Sequence, residues 1–386
     1  MVPKQIEDIN ESDLKNLIEN SAQESKTLEF KKELKIGSDS DRKEFLADVS
    51  SFANTNGGDL IYGIAQNNET GSASSINGIK IDNIDDLKLQ IESIVGSGIE
   101  PKIPQLSIHP VESSDQKHVI IIRVGKSWLS PHRVVLQGRG HGKFFARHSA
   151  GKYPLNVQEL RTAFLLTETI SERIRSFREE RISKIISEES ILATENEPKV
   201  ILHILPLESF STKKIIPSTE LAGTAFSFSP LYSTRTHGRF NLDGYIVYSQ
   251  YDKKNFHSYA QLYRNGTIES VEADLLSTES RDKKTIPSGC FEYYIIKAVQ
   301  SYLDLLKSFD LQTPIYIFLT LCGIKGYELA LSPRYTMHGK TPINNDLLIL
   351  PEIIIENYES DIPCCFKDCF DTFWNACGFE RSLNYN

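Results

Sequence analysis

ESKTLEFKKEL at residues 24–34 and SFANTNGGDLIYGIAQNN at residues 51–68 bracket the stretch that decides the fold. Residues 27–31 read as a strand by alternation: Leu28 and Phe30 point toward a core, while Thr27, Glu29 and Lys31 point the other way. One face of that strand therefore carries an acid and a base two residues apart. Glu24, in the preceding loop, is close enough in sequence to fold back onto them. A helix follows over 40–55. Ser38, Asp39 and Ser40 offer N-caps, and Phe45, Leu46, Val49, Phe52 and Ala53 form an apolar stripe. Asn56-Gly57-Gly58 ends it with glycine at a left-handed position. Leu60, Ile61, Tyr62 and Ile64 then make a buried strand over 59–65.

Outward from this stretch, residues 12–20 read as a short helix and 84–95 as an amphipathic one. Strands are expected near 105–111, 118–124, 133–136 and 143–147. Asn156 caps a long helix that runs to about Glu189, with a break near 167–169. Its mixed charges are the pattern of a solvated face with i,i+4 pairs. Beyond Lys199 the pattern is α+β. Strands are expected at 199–206, 240–250, 258–264 and 267–272, and a helix over 291–306. A hairpin of 314–321 and 327–331 turns at Gly323-Ile-Lys-Gly326, a strand spans 347–355, and a final helix starts near 361–363. The expected domains are 1–166, a helical connector over 167–195, and 196–386, whose role would be dimerisation or partner binding.

The chain has 386 residues, 40% hydrophobic and 24% charged, ordinary values for a globular protein. No apolar run approaches the ~20 residues of a membrane span. The polar, acidic N-terminal stretch is no secretory signal. Six cysteines in a chain this long do not make a disulfide scaffold, so a reducing cytoplasm is expected. The net charge of -8 excludes an indiscriminate polyanion binder. Yet residues 117–152 contain no Asp or Glu, eight Lys or Arg and four His, the mark of a local polyanion site.

Within that segment Lys126, Pro131-His132-Arg133, Arg139, Lys143 and Arg147-His148 are the candidate nucleic-acid contacts. The histidines are also candidates for proton transfer. Gly138-Arg-Gly-His-Gly-Lys143 is not a nucleotide-hydrolysing P-loop, because Phe144 and Phe145 continue it as a strand rather than a helix. Cys364, Cys365, Cys369 and Cys377 match no standard zinc spacing. They interleave with Phe366, Phe370, Phe373 and Trp374 and are expected in a helical core; Cys290 and Cys322 sit in apolar segments and are expected in the core.

Taken together, Glu24-x4-Glu29-Phe30-Lys31, Ser51-Phe52-Ala53-Asn54-Thr55-x-Gly57-Gly58 and Gly63-Ile64 resemble the Schlafen family in its AlbA-like core domain. The resemblance extends to about Phe164, less than half of the chain. It implies an α/β first half, a mixed sheet with flanking helices, followed by the α+β second half. It also implies nucleic-acid binding, with RNA (often tRNA) cleaved by the nuclease members in antiviral or stress defence. In that chemistry Glu24 and Glu29 would hold Mg2+ or Mn2+ and Lys31 would neutralise the phosphate. A third acid, an aspartate, follows the glycine–hydrophobic pair of the second strand in the nuclease members. Here Gln66 stands in its place; an amide has no charge, which lowers metal affinity, and Glu69 is the nearest substitute. A metal-dependent RNA endonuclease and a non-catalytic DNA- or RNA-binding regulator both stay open. One recognisable lobe, where vertebrate members pair two around RNA, implies a homodimer.

Overall fold

The computed structural model of the chain describes all residues except 68–69, 114–116, 137–141, 150, 188, 193–197, 212–214, 224–227, 233–236, 251–255, 277–283, 332–340 and 385–386, and the side chain of Gln250. The chain divides into two units, Met1–Thr169 and Ile170–Asn386.

The first unit opens with a 3-10 turn at Ile6–Asp8 and α1 (Glu11–Glu19). Then come β1 (Leu28–Lys31), α2 (Asp39–Ala53), β2 (Gly58–Tyr62), β3 (Ile64–Gln66), β4 (Ala73–Ile76) and α3 (Ile84–Gly98). β5 (Ile99–Glu100), β6 (Leu106–Ser113), β7 (Lys117–Val124), β8 (Arg133–Val134), β9 (Phe145–His148) and β10 (Gly151–Pro154) complete it. The main sheet has the order β1-β2-β7-β6. β1 and β2 are parallel, joined through α2, and the other pairs are antiparallel, so the sheet is mixed. α2 starts on a capping box: Ser38 Oγ accepts from the Asp41 amide while Asp41 accepts from the Ser38 amide.

Both faces of this sheet are covered. On one, Phe45, Leu46, Val49 and Phe52 of α2 and Ile91 and Val95 of α3 pack on Leu60, Tyr62, Ile120, Ile122 and Val124. On the other, Ile6, Ile9 and Leu14 pack on Leu28, Phe30, Ile61, Val119 and Ile121. This explains the unbroken apolar run of β7. The face of β1 carrying Glu29 and Lys31 turns toward α2, with Glu29 buried and Lys31 half-buried.

Two glycines shape the region. At Gly57 (φ +70°) a Cβ would lie 2.7 Å from Lys126 N and Val124 O, so only glycine lets α2 turn into β2 here. At Gly63 (φ +98°) the chain leaves the sheet, so the expected strand over 59–65 is two strands. β3 swings out to pair with β4 instead. That turn is what carries Gln66 toward β1.

α4 (Val157–Ile186) is continuous, without the expected break at 167–169. The second unit holds β11 (Lys199–Pro206), α5 (Ser218–Gly223), β12 (His237–Phe240), β13 (Gly244–Gln250), β14 (Phe256–Tyr263) and β15 (Ile268–Glu272). β16 (Thr285–Pro287), α6 (Ser288–Ser308), β17 (Ile315–Cys322), β18 (Glu328–Ala330), β19 (Leu347–Ile349), β20 (Ile353–Ile355) and α7 (Ile362–Ala376) follow. Its antiparallel sheet runs β12-β13-β14-β15-β11-β17-β19, with β20 also on β17. Phe291, Ile295 and Val299 of α6 and Phe366, Phe370 and Phe373 of α7 fill one face. Ile185 of α4 packs with Ile201, Ile246, Tyr259 and Val271 on the other.

Two expectations are corrected here. β18 does not return on β17 as a hairpin but pairs in parallel with β16. The expected strand over 347–355 is two strands, β19 and β20. Of the cysteines, Cys322, Cys369 and Cys377 are buried, but Cys290 and Cys364 are exposed. No helix among the described residues is long and apolar enough to cross a membrane.

Candidate functional site

Glu24 folds back onto β1. Its Oε1 accepts the Phe30 amide at 3.0 Å and the side-chain amide of Gln66. Gln66 Nε2 also donates to Phe30 O at 2.7 Å. Both neighbours of that nitrogen are acceptors, so the NH2 group, not the carbonyl, faces Glu24. Burial raises the Glu24 carboxyl above its ordinary pKa, and the nearby Glu29 charge adds to this. Gln66 is thus within hydrogen-bond reach of Glu24, and its N–H group occupies a lone-pair side of Glu24 Oε1.

Glu29 faces α2. Its Oε1 is 2.7 Å from Lys31 Nζ, and its Oε2 pairs with Arg147 Nη1 from β9. Burial pushes the Glu29 carboxyl up, but Arg147 and Lys31 prevail and hold it below its ordinary value. The Arg147 guanidinium lies 4.2 Å over the Phe52 ring, and its backbone amide donates to Thr55 Oγ1 at 3.0 Å.

The structure adds a residue that the sequence reading did not nominate. Asp48 on α2 is 2% exposed. Lys152 of β10 bridges Asp48 Oδ1 and Glu44 Oε1 at 2.5 Å each, and Lys31 Nζ is 3.6 Å from Asp48 Oδ2. Burial, and then the Glu29 charge, raise its pKa to about 6. A signal for it exists in the sequence. Asp48 lies three residues after Phe45 and four before Phe52, within the apolar stripe, where a carboxylate is out of place unless paired.

This donor set does not suit a divalent cation. Hard-ion sites need several free oxygen ligands, and here Glu24 is engaged by two N–H donors and Glu29 by two cations. Among the described residues no group of three or more His, Cys, Asp or Glu converges on a metal position; Glu69 lies outside them.

The expected basic contacts separate into two groups. His132 is fully buried: its Nδ1 is 2.7 Å from Pro101 O, and its amide donates to Asn54 Oδ1 at 2.7 Å. Burial lowers its pKa to about 4, so it is neutral near pH 7. It is a packing residue, not a phosphate contact. Arg147, 4% exposed, is likewise taken up by Glu29. Asn54, not singled out for its own role, ties α2 to both strands by donating to His132 O and Phe145 O, each at 2.9 Å. On the surface remain Lys143, exposed, and Arg133, whose Nη2 is 2.6 Å from Glu100 Oε2. His148 is also exposed and stacks on Tyr153 with ring centroids 5.0 Å apart. Lys126 Nζ sits 4.2 Å over Trp128. The Val134 amide donates to Lys143 O at 3.0 Å, which makes Arg133 and Lys143 neighbours. Arg139 and His141 lie outside the described residues.

With this geometry in place, comparison with known proteins identifies the domain. The Schlafen, AlbA_2 family matches residues 24–156. No curated protein matches the chain. Among solved structures, the DIP2311 protein from Corynebacterium diphtheriae is similar at 18% identity and a TM-score of 0.25, covering 37% of this chain and 30% of its own. The N-terminal domain of an ATP-dependent DNA helicase RecG-related protein from Nitrosomonas europaea is similar at 16% identity and a TM-score of 0.27, covering 36% of this chain and 90% of its own. The family match spans β1 through β10, a stretch that contains Glu24, Glu29, Lys31 and the basic strands, and the family suggests a nucleic-acid-related function. Residues 24–156 of this chain are a Schlafen/AlbA-like core domain.

Proposed function

We propose that the first unit is a nucleic-acid-binding module that holds a strand without cutting it. The observation that carries this reading is the Gln66 amide, seated between Glu24 Oε1 and Phe30 O where the nuclease members have an acid. Arg147 and Lys31 on Glu29 support it, because they cancel carboxylate charge that would repel a phosphate backbone. Lys126, Arg133, Lys143 and His148 supply the contacts. The preference for RNA, tRNA included, over DNA rests on the resemblance. So do a place in antiviral or stress defence, a cytoplasmic location, a homodimer that supplies the second lobe, and protein contacts through residues 196–386.

Binding to total tRNA, measured against salt, tests the reading. Phosphate contacts release counterions, so affinity should fall linearly on a log–log plot. A flat response overturns it. The second reading, a Mg2+- or Mn2+-dependent endoribonuclease, is favoured by the retained Glu24, Glu29 and Lys31. Incubation with tRNA and Mn2+ decides between the two. Cleavage by the unmodified chain that disappears in Glu29→Gln would establish the nuclease. No cleavage by the unmodified chain, with cleavage gained in Gln66→Asp, would establish the binding module and name the residue that separates them.

A further inference from the structure

Phe164, on the stretch of α4 that belongs to the first unit, is 54% exposed. A single apolar side chain on a surface needs no explanation, but Phe164 does not stand alone. Its ring meets that of Phe144 edge to face, with centroids 6.0 Å apart and planes at 81°. Such a contact covers at most one face of Phe164. Phe144 follows the exposed Lys143 in the chain. It also lies directly opposite Arg133 in an antiparallel bridge, so the two side chains leave the same face of the ribbon. Arg161, exposed, stands one turn before Phe164 on the same side of α4. The ring pair thus has cations one residue, one bridge and one helical turn away. The acids near it are Glu100, which pairs with Arg133, and Glu168, one turn beyond Phe164. Leu165 and Leu166 are exposed too, but they leave the helix about 100° and 200° round from Phe164. Val157, two turns back, is separated from Phe164 by Arg161. The ring pair is therefore not part of an apolar stripe.

An aliphatic protein surface docked here would have to strip water from Arg161 and Lys143 without pairing them. A nucleotide answers both features at once: its base has a flat π-face for the ring, and its phosphates suit the cations. In a duplex both faces of each base are taken by its neighbours in the stack, so only an unpaired base has a face to offer. We propose that Phe164, braced by Phe144, is a stacking platform for an unpaired base of the bound strand, with the flanking phosphates on Lys143 and Arg161. The proposal rests on the nucleic-acid reading above and narrows its ligand to single-stranded segments, loops and ends included. Because every base has a π-face, the platform carries no base preference. Glu168 repels phosphate, so the strand leaves Phe164 toward Arg161 rather than along the later turns of α4.

Fluorescence anisotropy of the full chain with three RNAs tests this: a short mixed-sequence single strand, the same strand annealed to its complement, and an abasic strand of equal length. Phe164→Leu, which keeps an apolar side chain but removes the ring, should weaken the single strand about tenfold. The salt slope should not change, because no phosphate contact is lost. The duplex and the abasic strand should bind the variant and the unmodified chain equally. Phe164→Trp should keep the affinity, and its indole emission should be quenched as the single strand binds. If Phe164→Leu binds the single strand as tightly as the unmodified chain does, with the same slope, the platform is overturned while the strand-binding reading stands. Equal losses for single strand and duplex also overturn the platform. If the unmodified chain binds none of the RNAs in a salt-dependent way, the strand-binding reading fails and the platform fails with it. If Phe164→Leu leaves RNA binding intact but splits a dimer in sedimentation, the ring is a protein contact and the platform is overturned.

Discussion

Glu269, on the sheet of the second unit, and Asp48, on the helix that covers the sheet of the first, are both carboxylates removed from solvent, but they are completed differently. Glu269 accepts two bonds from Arg181 at 2.7 and 2.8 Å, one from Tyr259 at 2.9 Å, and has His203 at 3.1 Å. Burial alone would raise its pKa; the Arg181 fork and His203 bring it down to about 2. Asp48 has one close cation, Lys152, with Lys31 at 3.6 Å and Arg147 at 3.9 Å, the like charge of Glu29 nearby, and a cleft beside it. Its pKa moves the opposite way, to about 6. A carboxylate whose lone pairs are all answered is a structural fastening. One left partly answered, beside a like charge, keeps a raised pKa.

The largest effect separating these two designs is the loss of the Arg181 fork. Arg181→Met leaves Glu269 charged and buried, which should cost about 3–5 kcal/mol in urea unfolding. Adding Glu269→Leu should recover most of it. A loss below about 1 kcal/mol would show that the fork is not the fastening. Arg147→Met in the first unit should cost less, about 2–3 kcal/mol, because Lys31 keeps one oxygen of Glu29 at 2.7 Å. Glu29→Gln in the same chain should reduce that loss, since the two residues are directly coupled. Equal penalties at Arg181 and Arg147 would erase the distinction.

Proton linkage gives a smaller effect, of opposite sign in the two units. Asp48 has a raised folded pKa, so its contribution favours folding fully below the unfolded carboxylate value and is lost as pH rises through about 6. The charges facing it are Glu29 and Lys31 on β1, Glu44 on its own helix, Arg147 on β9 and Lys152 on β10. Asp48→Asn should therefore gain stability relative to the unmodified chain as pH rises from 5 to 7.5. Glu269 has a depressed folded pKa, so its contribution is present above the unfolded value and is lost as pH falls toward about 2. Glu269→Gln should leave the slope from pH 5 to 7.5 unchanged. Parallel curves for the two variants across that window would refute the contrast.

What could be read from the sequence followed from local periodicity. β1 declares itself by alternation, β2 and β7 by short continuous apolar runs, and α2 by the Ser38 cap and the Asn56-Gly57-Gly58 stop. The fold-back of Glu24 onto β1 followed from its spacing, while the place of Gln66 followed only from the family resemblance. The errors arose where a partner lies far along the chain. An acid-free run looks solvated, yet the acids that bury Arg147 and hold Lys152 come from β1 and α2, about a hundred residues earlier. His132 is sealed by Pro101 and Asn54 in the same way. In the second unit, nothing near β18 signals that its partner is β16 rather than the adjacent β17. Asp48 was legible in principle, as an acid within an apolar stripe, but such a position becomes informative only once both faces of the sheet are known to be covered.

The finest distinction lies on the surface of the first unit, between two neighbouring cations. Lys143 is exposed, whereas Arg133 is already bound by Glu100 through Nε at 3.1 Å and Nη2 at 2.6 Å. Each phosphate contact removed should lower the salt slope of RNA binding by about 1. Lys143→Ala should show that full decrement. Arg133→Ala should show less, because contact with phosphate must first compete with a carboxylate. Glu100→Gln should then strengthen binding slightly, by releasing Arg133 and removing a like charge from the strand's path. If Arg133→Ala and Lys143→Ala give the same slope change, and Glu100→Gln gives none, the ion pair does not restrain Arg133. The exposed pair would then be energetically empty, as many surface ion pairs are, while the buried pair on Glu29 would still separate interior from surface charge.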